Sequence, residues 1–308
     1  TANAHGLLKL DTLGRSVSFD VDYFRYDNDL EIDNQTETFL PRGELLGLNF
    51  ASRNEALQQI ENLNIKVDVE HPIGTTRLSY GGQLTFTETL GDQVNFNTAT
   101  GSPVFDHTLS KIYKYRENVQ AAYVSLAVTP NERWEWKAGL RLENTNTEGY
   151  SVTLDQRSTN DYLRLFPTLF LAYHYNDNND YSFSYGRRIN RPGFRNLNPF
   201  RVYVNSNAYS EGNPFLQPSF SDQLEFTHAY RGKLRTNVFL SRTVDGHGTV
   251  FIADPATEVQ ATLRRNFYND FFIGIGELYS FDVGKWWSSQ NQVYAFVGTT
   301  NVYGEFDI

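Results

Sequence analysis

The densest run of potential metal ligands in the sequence is acidic and lies near its start. Asp27, Asp29, Glu31 and Asp33 alternate with uncharged residues, and carboxylate oxygens are ligands that calcium prefers. The run lacks the glycine and the distal glutamate that a calcium-binding loop places at fixed spacing. We therefore interpret the run as a solvated loop and predict no metal site there.

Histidine, serine and cysteine show no spacing that is typical of a catalytic or metal site. Cysteine is absent, which excludes a thiolate ligand, a cysteine nucleophile and a disulfide framework. No nucleophile elbow and no phosphate-binding loop occurs, and a net charge of −9 argues against a nucleic-acid partner. We expect no catalytic residue, no metal and no cofactor, so the sequence disfavours an enzyme. The histidines are dispersed along the chain: His5, His71, His107, His174, His228 and His247.

Arginine, asparagine and aromatic side chains concentrate in the stretch 187–220, together with several prolines. Loops held on a rigid scaffold often bind ligands, so these side chains are candidate contacts. The alternative is structural, because prolines cannot continue a central strand and instead set the turns of a long loop. For the arginines the structural alternative is favoured. The candidate ligand contacts are Arg187, Arg188, Asn190, Arg191, Tyr203, Tyr209, Asn213 and Phe215.

Alternation of apolar and polar residues predicts the strands that must position these side chains. In the stretch 134–143 the even positions are tryptophan, alanine and leucine, and the odd positions are charged residues and one glycine. Successive side chains of a strand point to opposite faces, so this stretch has an apolar face and a charged face. The same period of two recurs in 17–23, 63–70, 77–86 and 181–185. The sequence therefore predicts an all-β protein.

Short and long connections alternate along the chain without a break. In an antiparallel up-and-down arrangement all short turns then lie at one rim and all long loops at the other, which is typical of outer-membrane barrels. This alternation holds only if 258–281 is one strand with an irregularity near 266–270. The number of strands is then about a dozen. The short turns are 11–14, 71–74, 130–133, 176–180, 231–232 and 282–285. The longer connections are 27–58, 89–113, 145–160, 187–220 and a tip at 253–257.

The cost of burying charge decides which face meets the membrane. No apolar run approaches the roughly 18 residues of a membrane helix. A soluble sandwich or lipocalin-like barrel would turn the apolar face inward, but this many strands would enclose a lumen wider than a small ligand needs. In a membrane barrel, basic side chains facing lipid would cost about 2–4 kcal/mol each. Glu135 and Lys137 are therefore expected to face a wet lumen, and Trp134 and Trp136 to face outward.

Three proline-containing motifs carry a resemblance to a known family. They are Ser-Tyr-Gly-Arg-Arg-Ile-Asn-Arg-Pro at 184–192, Leu-Asn-Pro-Phe at 197–200 and Glu-Gly-Asn-Pro-Phe-Leu-Gln-Pro at 211–218. With these motifs the chain resembles the outer-membrane β-barrel family of TonB-dependent-receptor-like proteins, common in Bacteroidota. Leu-Phe-Pro-Thr at 165–168, which is expected to enter a strand, fits as well. The likeness covers most of the chain.

The resemblance implies a location in the bacterial outer membrane and a barrel of about 22 strands with a plug in its lumen. It also implies energised uptake of a scarce nutrient through contact with a periplasmic, TonB-like energy-coupling protein. The arginine-rich residues named above would then also be candidates for contact with the plug. Residues 1–308 are expected to be a partial barrel from one domain, with the plug and the remaining strands outside this chain.

A second function stays open beside transport. The barrel could anchor long external loops that bind surface partners, such as a surface lipoprotein or another outer-membrane protein. An enzymatic alternative, for example an outer-membrane lipase, would require a Ser–His pair on the lipid face, and the sequence offers none that we can nominate. The sequence does not identify the transported substrate, because function depends on a site and not on a fold.

Overall fold

The computed structural model describes residues 1–304, with the side chains of residues 48 and 49 excepted. Within this range the secondary structure is almost entirely β. The elements are β1 (Ala2–Lys9), β2 (Ser16–Phe39), β3 (Leu45–Ile73), β4 (Thr76–Asn97), β5 (Val104–Phe105), β6 (Lys111–Asn131), β7 (Trp134–Ser151), β8 (Gln156–Asn176), β9 (Asn179–Asn190), α1 (Phe194–Leu197), β10 (Val202–Asn205), β11 (Ala208–Glu211), β12 (Ser219–Tyr230), β13 (Leu234–Asp254), β14 (Val259–Val283) and β15 (Trp287–Val302).

One antiparallel meander runs through almost the whole described range. Its order is β1-β2-β3-β4-β6-β7-β8-β9-β12-β13-β14, and β15 pairs with β14 as the twelfth strand. The prediction of about a dozen up-and-down strands is confirmed. The sheet formed by residues 1–304 is open, since β1 pairs only with β2 and β15 only with β14.

The predicted short turns lie where the sequence places them, as do the long connection 187–220 and the tip at 253–257. The other predicted loops, 27–58, 89–113 and 145–160, are largely strand. The stretch 27–58 is a hairpin of β2 and β3 that stays paired from Ser16 opposite Glu70 to Phe39 opposite Leu45. In the same way, β7 and β8 stay paired up to Ser151 opposite Gln156. The apolar pattern ends where lipid contact ends, whereas the ladder continues because pairing satisfies backbone N–H and C=O groups. The strands therefore extend beyond the bilayer on the long-loop side.

This extension also corrects the interpretation of the acidic run. Asp27, Asp29, Glu31 and Asp33 do not lie in a loop, because they occupy alternate positions of β2 and so share one face of the strand. Arg53 of β3 pairs with Asp33 at 2.9 Å. Residues 165–168 are likewise inside β8 and do not enter it, because β8 begins at Gln156.

The single strand that the sequence predicts over 258–281 is present. β14 is continuous from Val259 to Val283, and its pairing with β13 shifts register between Thr243 and Gly246 and again between Gly246 and His247. Those residues lie opposite the stretch 266–270, where the sequence predicted an irregularity. Both parts of that prediction are confirmed.

The two faces of the sheet differ as the alternation predicts. On β7, Glu143 and Thr145 are buried, whereas Trp136 is 49% and Leu140 44% exposed. We call the face with Glu143 and Thr145 the inner face, and the face with Trp136 and Leu140 the outer face. An apolar outer face and a polar inner face are the arrangement of a membrane barrel wall, in which lipid covers the outer side chains.

Candidate functional site

The connection between β9 and β12, residues 191–218, folds back onto the inner face and is called the inner segment below. Leu197, Phe200 and Leu216 of this segment are 3–4% exposed and form a buried cluster with Tyr113 of β6. The ring of Phe194 lies 5.6 Å from the ring of Tyr113. The inner segment is therefore packed against the wall and does not project from the rim as a free loop.

Two glycines permit this close packing. A Cβ at Gly91 of β4 would lie 2.9 Å from the ring of Phe194. A Cβ at Gly212 would lie 2.3 Å from the carbonyl oxygen of Asn198 and 2.8 Å from that of Asn196. Both distances are shorter than a Cβ atom adopts. Gly91 therefore allows the wall to approach the inner segment, and Gly212 allows two parts of the segment to approach each other.

An ion pair fixes the start of the inner segment to the wall. The Nη2 of Arg191 donates to Glu143 Oε2 at 2.6 Å and to Thr145 Oγ1 at 3.1 Å, and its Nε donates to the hydroxyl of Tyr162 at 3.2 Å. Glu143 also accepts from Arg141 Nε at 2.6 Å. Charge-assisted hydrogen bonds at such distances are strong. For Arg191 the structure shows the structural role that the sequence left open as an alternative.

The inner segment also covers a gap in the sheet. The pairing of β8 with β9 ends at Thr168 opposite Gly186, while β8 continues along β7 and β9 continues along β12. Pro167 precedes Thr168 and has no N–H for a ladder, which explains where the pairing ends. Asn160 of β8 donates to Gln217 of the inner segment at 2.8 Å. A cavity of about 40 Å³ remains there, lined by Asn160, Arg191 and Gln217 among others.

A small hairpin within the inner segment, β10 and β11, extends the sheet at the mouth. β11 pairs in parallel with the start of β14, from Ala208 opposite Gln260 to Glu211 opposite Leu263. On its other side, Asn34 of β2 donates to the carbonyl oxygen of Tyr203 at 3.4 Å. The hairpin therefore contacts the extended ends of two wall strands that are distant in the sheet.

The aromatic candidates are used unequally by this hairpin. Tyr209 is 6% exposed, and the guanidinium of Arg201 lies 4.4 Å from its ring centre. Burial alone would lower the pKa of Arg201, but the hydrogen bond and the charge of Glu211, 2.8 Å away, outweigh it and raise the pKa. Tyr203 is half-buried beside Tyr209, with ring centres 5.7 Å apart. Tyr209 is committed to packing, whereas Tyr203 keeps an accessible part.

Asn213 and Phe215 form a turn of their own. The backbone N–H of Phe215 donates to Asn213 Oδ1 at 2.9 Å, so Asn213 shapes the backbone. The ring of Phe215 is 53% exposed. Of this pair, Phe215 is the side chain that a ligand can reach.

Arg187 and Arg188 line one cavity of about 420 Å³ on the wall, together with Ser184, Gln223 and Ser241. Arg188 is exposed, and Arg187 lies 5.5 Å from the ring centre of Phe220. Among the described residues, Arg187 Nε is buried and has no hydrogen-bond partner. Asn190 lies at the end of β9 with an exposed side chain.

The candidates therefore fall into separate groups. Arg187 and Arg188 share a cavity, Tyr203 and Tyr209 share a hairpin, and Asn213 and Phe215 share a turn. Sequence reasoning missed the wall residues that hold the inner segment. The only signal for them was the polar pattern of β7. That pattern does not link Glu143 to an arginine 48 residues later, so the ion pair could not be predicted.

The described residues were also compared with the requirements of a metal site and of a membrane-spanning helix. Within residues 1–304, no group of three or more histidine, aspartate or glutamate side chains could hold a metal ion. No helix in that range is long and apolar enough to cross a membrane.

A meander of long antiparallel strands with a lipid-compatible outer face, a polar inner face and short turns at one rim defines the wall of an outer-membrane β-barrel. Comparison of the sequence with known families agrees, because the profile of the outer membrane protein beta-barrel family matches residues 8–308. The chain belongs to this family, and its place is the outer membrane. A search of curated protein sequences found no match.

Solved structures of outer-membrane receptors share the fold. The copper transporter OprC is 15% identical with a TM-score of 0.64, over 92% of this chain and 43% of that one. The ferripyoverdine receptor of Pseudomonas aeruginosa is 12% identical with a TM-score of 0.61, over 97% and 40%. The unliganded ferric citrate transporter FecA is 11% identical with a TM-score of 0.58, over 98% and 42%. The chain spans about two fifths of these receptors, and at this identity the likeness shows the fold alone.

Proposed function

We propose that the protein is a TonB-dependent-receptor-like transporter that takes up a scarce nutrient with energy supplied from the inner membrane. The observation that carries the proposal is the inner segment, which is packed on the polar face of the wall and held there by Arg191 and Glu143. A polar wall suits a wet pathway, and a packed segment on that wall suits controlled entry. The solved structures named above, described as transporters and as a receptor, support the same class.

In this proposal the candidates whose side chains are held by contacts within the inner segment or with the wall stabilise that segment, and the others contact the ligand or a plug. Arg191, Tyr209 and Asn213 are assigned to structure. A periplasmic TonB-like protein is the proposed energy-coupling partner, and it acts through parts of the protein other than residues 1–308. The plug is likewise proposed to lie in those other parts. Residues 1–308 then form part of a single barrel domain. The proposed contacts are Arg187, Arg188, Asn190, Tyr203 and Phe215.

A second candidate function is a surface scaffold that binds other outer-membrane proteins or a lipoprotein. The extended hairpin of β2 and β3 favours it, since the pair remains a paired ladder out to Phe39 opposite Leu45. A rigid paired ladder of this kind could present side chains to a partner outside the bilayer.

Growth on limiting nutrients separates the two functions. We expect deletion of the gene and deletion of the energy-transducing protein to abolish growth on the same scarce nutrient. A high concentration of that nutrient should restore growth of both strains, because passive entry then suffices. The measurement is growth of both deletion strains across a panel of chelated metals and oligomeric carbon sources. Transport is contradicted if the gene deletion has no such phenotype and only removes a surface protein from the membrane.

A further inference from the structure

Two arginines lie where the start of β14 contacts the inner segment. Arg264 lies near the start of β14, and its Nε donates to Asn196 Oδ1 of the inner segment at 3.2 Å. The neighbouring residue Arg195 is exposed. Burial and the positive charge of Arg195 both lower the pKa of Arg264.

One side of the Arg264 guanidinium lacks a partner. Among the described residues, its Nη1 is buried and has no acceptor within hydrogen-bond distance. A buried charged donor without an acceptor is costly, and a like charge nearby adds to that cost. The arrangement therefore calls for a negative group.

Other arginines of the inner segment show the contrast. Arg191 has Glu143 at 2.6 Å, and Arg201 has Glu211 at 2.8 Å. Where the segment only has to be held in place, the chain provides a carboxylate of its own.

We propose that Arg195 and Arg264 form an oxyanion-binding site at the outer mouth of the barrel, which takes a carboxylate or phosphate group of a soluble ligand. A guanidinium presents its donors in a planar fork that matches such groups. The bond to Asn196 holds Arg264 at Nε, and Nη1 is the donor that lacks an acceptor. In the proposed complex the oxyanion approaches along the exposed Arg195, and the Arg264 side chain turns to bring the buried Nη1 to it. As a statement about the transported substrate this rests on the proposed function, while binding itself does not.

The test is direct binding to the full-length protein in detergent, with inorganic phosphate as the probe. We expect Arg264→Gln and Arg195→Gln each to weaken phosphate binding by about tenfold or more, since each removes a charge-assisted hydrogen bond. Arg42→Gln is the matched control, because Arg42 is exposed in the turn between β2 and β3. It should leave the phosphate affinity unchanged. Binding is measured by calorimetry and by broadening of the phosphorus resonance.

Several outcomes overturn the proposal. One is equal affinity in the unmodified protein and all three variants, and another is no binding at all. A third is a fall in the melting temperature of both site variants without phosphate, which would assign the compensating anion to the protein itself. Because Arg195 is exposed, its variant tests the site even if Arg264→Gln impairs folding. Intact phosphate binding in a protein that fails the growth test contradicts transport alone.

Discussion

Replacement of Glu143 by alanine is expected to destabilise the protein by about 3 kcal/mol and to release the inner segment from the wall. Glu143 accepts from Arg141 and from Arg191, each at 2.6 Å, and its side chain is 9% exposed. Without the carboxylate, two half-buried guanidinium groups face each other with no anion between them. Removing one partner of a buried ion pair is costly for this reason.

Urea unfolding of the barrel and limited proteolysis of the inner segment measure this effect. We expect earlier unfolding and new cleavage within residues 191–218. Glu148→Ala is the matched control on the same strand. Glu148 pairs with Arg157 at 2.8 Å, but the two side chains are 37% and 62% exposed, so its loss should cost about 1 kcal/mol at most. Equal effects of the two substitutions would show that Glu143 does not hold the segment.

An arginine at Val124 is expected to cost about 2–4 kcal/mol, because the outer face meets the hydrocarbon of the bilayer. Val124 lies opposite Leu140 in the middle of the apolar outer stretch of β6 and is 45% exposed. The next residue, Ser125, lies opposite Gly139 on the inner face and is exposed. An arginine at Ser125 reaches water, so it should cost little.

Comparison of the two arginine variants tests which face of the sheet meets lipid and which meets water. Both variants are refolded into lipid vesicles, and the free energy of unfolding is obtained from denaturant titrations. The chain length, the added charge and the position along the barrel axis are nearly the same in both. A larger loss for Ser125→Arg than for Val124→Arg would reverse the assignment of the faces.

The sequence allowed prediction of the strands and their faces wherever side chains carry the information. On β7, tryptophan and leucine alternate with charged residues, and the structure has the same alternation of faces. The continuity of β14 was also predictable, because the alternation of short and long connections required one strand there.

The extent of the strands was not predictable from side chains. On β2 the apolar alternation ends at Tyr23, but the strand continues to Phe39 because its backbone groups remain paired with β3. The parallel pairing of β11 with β14 was likewise out of reach, since it joins two short stretches that are distant in sequence.

The candidate site was predictable in its location and only partly in its residues. The prolines and arginines of the stretch 187–220 marked the segment that does fold onto the wall. Their partners did not show, because Glu143 and Tyr113 are ordinary members of their strands until the segment contacts them. The separation of ligand contacts from structural residues depends on burial, and burial depends on how the segment packs.

In the proposed function the inner segment controls entry, so locking it to the wall tests that function most directly. Asn160 and Gln217 are hydrogen-bonded across the gap at 2.8 Å, and residues 1–308 contain no cysteine. A protein with both Asn160→Cys and Gln217→Cys can therefore be bridged by a short, reducible thiol cross-linker, with each single variant as a control. The measurement is growth on the nutrient that requires the protein, before bridging, after bridging and after reduction. We predict that bridging stops growth in the double variant alone and that reduction restores it. Unchanged growth with the segment fully bridged would contradict the account.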